Sequence, residues 1–166
     1  MLLFRDNAVT AEDLKTVRDI VASTGFFEGA PDEIDIAVEL VQEALDKGCS
    51  PETYCFLFLE DGGKTIGYSC YARTPCTLGT FGLYWIVVHN DRRDQGLGKI
   101  LMNQTVDRIK KLGASKVVAE TSGREQYLPT RKFYESCGFK LEASLKDFYA
   151  EGDDCLFYTM DFYEER

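Results

Sequence analysis

The sequence predicts a mixed α/β fold of the α+β class, with one central sheet of about seven strands and helices on both faces. Strand-like and helix-like segments follow one another in the order β-α-α-β-β-β-α-β-α-β-β. Two pairs of strands are separated only by short turns, so we expect a mixed but mostly antiparallel sheet. The 166 residues, 45% hydrophobic and 28% charged, suffice for one core, and we expect a single domain over residues 1–166.

The first half of the chain contains one strand, two helices and a hairpin. The segment LLFRDN predicts a short strand, and TAEDLKTVRDIVAST predicts a helix with Thr10 and Asp13 as a capping box and Gly25 after its end. The segment PDEIDIAVELVQEALDKG predicts a second helix, apolar on one face and acidic on the other. The runs TYCFLFLE and KTIGYSCYAR flank the turn DGG and predict the hairpin.

The second half begins with FGLYWIVV, which is hydrophobic throughout and therefore predicts a strand at the centre of the sheet. The amphipathic run after it predicts a helix that ends at Gly113. SKVVAET is the next predicted strand, YLPTRKFYESCG a short helix, and FKLEASLKDFY and CLFYTMDFY a closing pair around AEGDD.

The net charge of −9 disfavours nucleic acid or an anionic membrane as a partner, because both would be repelled at long range. There is no apolar signal-peptide core near the first residue and no apolar run long enough to span a bilayer, which indicates a cytoplasmic protein. The six cysteines contain no C-x-x-C pair, and several lie in strand-like runs, so we expect buried free thiols. With His89 as the one histidine, we expect no metal site.

The loop between the central strand and the next helix carries two arginines and two glycines, in the order DRRDQGLGK. It could be a tight turn with surface arginines, a dinucleotide-binding loop or another kind of pyrophosphate site. The dinucleotide fingerprint fits poorly, because its third glycine is missing and Gly96 comes too late after the strand. In the last interpretation, unpaired N–H groups at the helix start bind the anion, Gly96 and Gly98 let it approach, and Arg92, Arg93 and Lys99 add positive charge. The residues alone favour this interpretation modestly.

The same loop resembles the acyl-CoA signature of the GNAT superfamily of N-acyltransferases, whose core pattern is R/Q-x-x-G-x-G/A. Arg93, Gly96 and Gly98 fill this pattern in order. The segment RKFYESCGF is similar to the second hallmark of the superfamily, in which a tyrosine precedes a Gly-Phe strand start. The order of elements also fits, so the resemblance covers essentially the whole chain and implies a GNAT-like fold.

The resemblance implies that acetyl-CoA is the cosubstrate and that no metal takes part. In the superfamily, backbone N–H groups of a splayed strand polarise the thioester carbonyl, and the glycine loop holds the diphosphate. The positions that match these two features are Ile86, Val87, Val88, Arg93, Asp94, Gln95, Gly96, Leu97, Gly98 and Lys99. This chain departs from the N-x-x-A pattern that often precedes the Phe-Tyr pair of the superfamily, because it has Tyr127 and Thr130 at those places. The asparagine that would contact the pantetheine arm is therefore absent.

Tyr134 matches the tyrosine that acts as general acid in the superfamily. Phenol and thiol have reference pKa values of about 10 and 8.5, so donation from the phenol is only slightly uphill. The alternative is that Tyr134 is a core residue. Glu120, at the end of VVAE, is the candidate base; alternatively it is a solvated carboxylate, or one bonded to Arg124, and water relays the proton. Tyr84 is a weaker candidate base, and His89 is expected on the cofactor side.

We therefore expect an N-acetyltransferase that moves an acetyl group from acetyl-CoA directly to a primary amine of a small molecule or a peptide. The alternative is an acyl-CoA-binding regulatory or interaction module without turnover. A homodimer is compatible with either function, and neither a nucleic acid nor a membrane is an expected partner.

Charge is the only guide to the acceptor. Residues 28–46 carry seven acidic residues and no basic one, and the turn AEGDD adds three more. In the implied fold both segments border the acceptor side, which favours a cationic acceptor such as a polyamine, a diamine, a basic amino acid or a lysine-bearing peptide. The alternative is that these carboxylates are the solvated face of an amphipathic helix.

Overall fold

The computed structural model describes residues 1–163, which form one seven-stranded sheet covered by four α-helices. In chain order the elements are β1 (Leu2–Asp6), α1 (Glu12–Ser23), α2 (Pro31–Lys47), β2 (Cys55–Asp61), β3 (Lys64–Arg73), β4 (Thr80–Val88), α3 (Leu97–Lys111), β5 (Lys116–Ser122), α4 (Leu128–Ser136), β6 (Lys140–Ala150) and β7 (Asp153–Asp161). The strand order in the sheet is β1-β2-β3-β4-β5-β7-β6. Within the described residues, β4 and β5 are the one parallel pair of neighbours. The predicted order, the mostly antiparallel sheet and the central position of β4 are therefore confirmed.

Two hydrophobic cores lie on opposite faces of the sheet. Because successive side chains of a strand point to opposite faces, β2 contributes Phe56 and Phe58 to the core under α1 and α2. The same strand contributes Leu57 and Leu59 to the core under α3 and α4. All four side chains are fully buried. No helix among the described residues is long and apolar enough to cross a membrane.

The start of α1 differs from the predicted capping box. The Thr10 N–H donates to Asp13 Oδ2 at 2.8 Å, as predicted, but the Thr10 hydroxyl also donates to this carboxylate instead of accepting from the backbone. The guanidinium of Arg5 binds both carboxylate oxygens, at 3.0 and 2.9 Å. Asp13 is buried, and a buried carboxylate requires a charged partner, so its side chain ties β1 to α1 as well as closing the helix end.

All six cysteines are free thiols. Cys55, Cys70 and Cys155 are buried, as predicted. The prediction is wrong for Cys76, which is exposed in the connection between β3 and β4. Its neighbours in the sequence do not form a strand, so no sheet face covers the side chain.

Strands β4 and β5 separate along their length. They pair at three positions only, from Thr80 with Lys116 to Gly82 with Val118. On the other side of β4, the register with β3 skips Tyr84, which forms a β-bulge just beyond the last β4–β5 pair. A bulge bends its strand and increases its twist. The rest of β4 follows β3, while β5 stays paired with β7, and a wedge opens between them.

Gly67 allows β3 to follow the bent part of β4 closely. A Cβ atom at Gly67 would lie 2.9 Å from the backbone oxygen of Val87 and 3.3 Å from the side chain of Val88. The obstacle at the shorter distance is backbone, which cannot rotate away as a side chain can. A larger residue at this position must therefore move β4 beside the wedge.

We predict that Gly67→Ala lowers the free energy of unfolding by about 1–3 kcal/mol, the usual cost of overpacking a tight site. Gly29→Ala is the matched control, because a Cβ atom at Gly29 meets nothing within 4 Å and its backbone has no positive φ. Urea unfolding of the two variants beside the wild type measures both effects. Equal stability of the Gly67 and Gly29 variants would contradict the close approach of β3 and β4.

Candidate active site

Two cavities meet at the wedge between β4 and β5. One has a volume of about 420 Å³ and is lined by residues of β4, β5, the α1–α2 connection and the β6–β7 end of the sheet. The other has a volume of about 430 Å³ and is lined by β4, the loop before α3, and α4. We call them the acceptor-side and loop-side cavities. Seven residues line both: Phe26, Ile86, Val87, Val88, Arg93, Thr130 and Tyr134. The two cavities are therefore adjacent.

The loop-side cavity contains free backbone donors at the start of α3. Gly96 takes a left-handed conformation, with φ of +71°, and the helix begins at the next residue. Within the described residues, no acceptor is assigned to the N–H groups of residues 96–99, and no side chain caps the helix. Four consecutive N–H groups and the positive end of the helix dipole favour an anion.

The cationic side chains of this loop differ in whether they form ion pairs. Arg92 is bound to Asp61 at 2.8 Å, so its charge is already paired. Arg93 donates to the neutral side chain of Asn90 at 3.3 Å and forms no ion pair within residues 1–163. Lys99 also lines the loop-side cavity. Arg93 and Lys99 are therefore available to a bound anion, whereas Arg92, to which the sequence interpretation gave the same role, is already paired with Asp61.

Nine of the ten positions that the sequence assigns to the cofactor line the loop-side cavity. The exception is Gln95, whose side-chain oxygen accepts a hydrogen bond from Arg92 at 3.3 Å. Gly98 has a second role that the sequence does not reveal, because a Cβ atom there would lie 3.2 Å from the ring of Phe133. The absence of a side chain at Gly98 lets α4 pack against the first turn of α3.

The far half of β4 presents backbone groups to the wedge. Beyond Gly82, β4 pairs with β3 and, within the described residues, with no other strand. The backbone N–H and C=O groups on the open side of residues 83–88 therefore lack a strand partner and are available to a ligand. The family resemblance implies such an open strand at Ile86, Val87 and Val88.

Tyr134 lies at the junction of the two cavities. Its side chain is 7% exposed, and its ring packs against Phe139 and Tyr158 at centroid distances of 5.6 and 5.8 Å. Burial, with a smaller contribution from Cys137, raises the pKa of Tyr134 to about 12. The two interpretations of Tyr134 are therefore compatible, because a core residue here also lines both cavities.

Glu120 lies on the β5 side of the wedge and lines the acceptor-side cavity. It is exposed, and it forms no ion pair within the described part of the chain. The alternative in which Glu120 binds Arg124 is wrong, since Arg124 binds Asp153 at 3.2 Å. Tyr84 also lines this cavity, and burial raises its pKa, whereas His89 lines neither cavity.

The acidic helix contributes less to the site than its composition indicates. Of the seven acidic residues in 28–46, Glu33 alone lines the acceptor-side cavity. Asp35 and Glu43 bind Arg18 and Lys47, and the remaining carboxylates lie outside the cavity. From the AEGDD turn, Asp153 lines the cavity. No group of three or more His, Cys, Asp or Glu within residues 1–163 is arranged to hold a metal.

Sequence analysis missed the aromatic wall of the acceptor-side cavity. The wall contains Phe26, Phe27, Trp85, Tyr127 and Tyr149. Phe26 and Phe27 are adjacent phenylalanines between two glycines in the connection from α1 to α2, and Phe27 also packs against the core under α1 and α2. Two phenylalanines at this position could have indicated a binding surface from the sequence alone. The direction of the Trp85 side chain could not be predicted in this way, because it depends on the bulge one residue earlier.

The sequence-family model that describes the GNAT family of acetyltransferases matches residues 18–139 of this chain. A crystal structure from Desulfovibrio desulfuricans, assigned to the same family, is 43% identical in sequence and superposes with a TM-score of 0.91, covering 97% of this chain and 99% of that one. None of the curated proteins matches the chain.

Two more distant solved structures share the fold. An aminoglycoside 6'-N-acetyltransferase complexed with coenzyme A has a TM-score of 0.77 at 14% identity, over 99% of both chains. The ribosomal-protein-S18-alanine N-acetyltransferase from Escherichia coli has a TM-score of 0.73 at 18% identity, over 100% of this chain and 97% of that one. One of these proteins is named for a small-molecule acceptor and the other for a protein acceptor, so the fold alone does not select between them.

Proposed function

Because the chain belongs to the GNAT family of acetyltransferases, we propose that it transfers an acetyl group from acetyl-CoA in the loop-side cavity directly to a primary amine in the acceptor-side cavity. Acetyl-CoA supplies the acetyl group as a thioester. The observation that carries the proposal is the junction of the two cavities at the wedge, where Tyr134 lines both. The adjacency of the cavities supports direct attack of the amine on the thioester, without an intermediate carrier on the enzyme.

The loop before α3 is suited to the diphosphate of the cosubstrate. Within residues 1–163, the N–H groups of residues 96–99 have no hydrogen-bond acceptor, and Arg93 and Lys99 add two positive charges. Charge-assisted hydrogen bonds of this kind are the stronger ones in proteins. On the β4 side, the open backbone donors of residues 86–88 are placed to polarise a carbonyl in the wedge.

Two side chains at the wedge are suited to moving protons. Before the attack, Glu120 accepts a proton from the ammonium, directly or through water, which leaves the neutral amine as the nucleophile. As the C–N bond forms and the C–S bond breaks, the nitrogen loses its second proton to water. Tyr134 Oη donates its proton to the departing sulfur. Burial raises the pKa of Tyr134, but the same apolar surroundings also raise the pKa of a thiol, so the two groups stay near balance.

The acceptor is proposed to be a small cationic amine. Glu33, Glu120 and Asp153 line the acceptor-side cavity, against Arg124 and the shared Arg93. Glu33 and Glu120 are exposed, and an exposed ion pair contributes only about 0–1 kcal/mol. The carboxylates therefore attract and orient a cation but contribute little to its binding affinity.

The loop is tested by adding a negative charge to it. Gly96→Glu should weaken acetyl-CoA binding at least tenfold, about 1.4 kcal/mol, relative to Gly96→Gln. The glutamine variant is the matched control, because both side chains impose the same strain at a positive φ. Calorimetric titration of the two folded variants measures the difference, and equal affinities would exclude the loop from cosubstrate binding.

The acid is tested by Tyr134→Phe, which keeps the ring and removes the hydroxyl. Acetyl-CoA affinity should be retained, while kcat falls by about 10² to 10⁴, the usual contribution of general acid catalysis. Because the pKa of Tyr134 is raised to about 12, the phenol stays protonated and kcat should not fall through this group below about pH 11. A kcat within a factor of about two of the wild type, with chemistry rate-limiting, would show that Tyr134 has only a packing role.

Salt dependence tests the charge of the acceptor. The kcat/KM for putrescine should fall more steeply with ionic strength than that for n-butylamine, because a dication is attracted more strongly. Glu33→Gln should reduce this slope, and Glu39→Gln, an exposed position on the same helix outside the cavity, should not. A kcat/KM that does not change with ionic strength for either amine would show that the carboxylates have no part in substrate recognition. Absence of thiol release with every amine would favour a coenzyme A-binding module instead of an enzyme.

A further inference from the structure

The acceptor-side cavity is unusually rich in aromatic side chains. Seven of its 19 lining residues are Phe, Tyr or Trp, whereas these residues make up 13% of the chain. They come from four separate parts of the chain: the α1–α2 connection, β4, the α4 region and β6. Because they are so far apart in the sequence, their convergence on one cavity is a property of the folded site and does not follow from one aromatic segment.

The rings are held in fixed positions by contacts with one another. Phe26 and Tyr127 stack across the cavity from different elements, with centroids 5.9 Å apart and planes at 25°. Phe27 packs edge-on against Trp85, with centroids 5.8 Å apart. These contacts join the rings into one aromatic surface, against which a flat ligand can stack.

The charged residues of the cavity are poorly suited to be its main recognition surface. Asp153 is buried, but Ser122 and Arg124 already bind its two carboxylate oxygens. Glu33 and Glu120 are exposed and stay hydrated when no ligand is present. The aromatic wall therefore provides apolar surface that a ligand can remove from water, and apolar burial favours binding in such cavities.

We infer that the acceptor carries a flat apolar group, such as an aromatic ring. This group binds against Phe26, Phe27, Trp85 and Tyr127 of the aromatic wall, while the amine of the acceptor reaches the wedge. The inference rests on the proposed transfer and specifies its substrate class. Tyr127 is a specificity-determining residue in this arrangement, since it completes the stack with Phe26. A single positive charge on the amine satisfies the carboxylates at the rim of the cavity.

The chain provides its own reporter for this inference, because Trp85 is its one tryptophan and lines the cavity. With coenzyme A present, titration followed by Trp85 fluorescence gives dissociation constants for 2-phenylethylamine, n-butylamine and spermidine. We expect 2-phenylethylamine to bind at least tenfold more tightly than n-butylamine, which carries the same charge. Tyr127→Ala should remove most of this preference. Tyr127→Phe, which keeps the ring, and Tyr163→Ala, at an exposed position outside the cavity, should retain it.

Two outcomes would overturn the inference, and they can be told apart from failure of the transfer itself. Equal binding of 2-phenylethylamine and n-butylamine, or tighter binding of spermidine, would overturn the aromatic specificity alone if thiol release from acetyl-CoA still accompanies any amine. Thiol release with none of the three amines would overturn the proposed transfer, and the inference with it. Faster thiol release with 2-phenylethylamine than with n-butylamine, lost in Tyr127→Ala, supports both.

Discussion

The separation of β4 from β5 beyond Gly82 and Val118 is the feature on which the rest of the site depends. Two neighbouring parallel strands ordinarily satisfy each other's backbone groups along their whole length, and leaving those groups unpaired inside a protein costs free energy. Here the bulge at Tyr84 turns β4 away, and Gly67 lets β3 follow it. The backbone groups of β4 that lack a strand partner are available to a ligand, and the two cavities lie beside the gap.

Much of the fold could be predicted because its elements have simple patterns. The alternation in β2, which divides Phe56 and Phe58 from Leu57 and Leu59, is readable from the sequence, and so is the amphipathic pattern of the helices. The wedge could not be predicted from the residues YWIVV, because an uninterrupted hydrophobic run does not indicate a bulge. The bulge depends on pairing with β3, which is a tertiary contact.

The candidate site shows the same division between local and tertiary information. The loop around Gly96 could be predicted, since a glycine in the left-handed conformation before a helix is a local feature. The acidic stretch 28–46 misled, because composition does not distinguish the helix face toward the cavity from the face toward solvent, and Glu33 alone points to the site. The capping box at Thr10 was predicted from local spacing, but Arg5, which is close to Asp13 only in the folded chain, shares the carboxylate.

The tyrosine at position 127 affects both the cosubstrate side and the acceptor side of the candidate site. Where the family pattern has an asparagine toward the pantetheine arm, this chain has a ring that stacks on Phe26 and lines the acceptor-side cavity. In the proposed function, this replacement exchanges a polar contact for the cosubstrate for an aromatic surface toward the acceptor. Burial raises the pKa of Tyr127, in keeping with a side chain that serves as packing surface.

The central claim is direct transfer between ligands that meet at the wedge, and initial-rate kinetics test it most directly. Rates measured over a grid of acetyl-CoA and amine concentrations should give intersecting double-reciprocal lines, because both ligands must be bound together before the acetyl group moves. Parallel lines, together with an acetylated enzyme isolated in the absence of amine, would contradict direct transfer and leave the junction of the cavities without its proposed purpose.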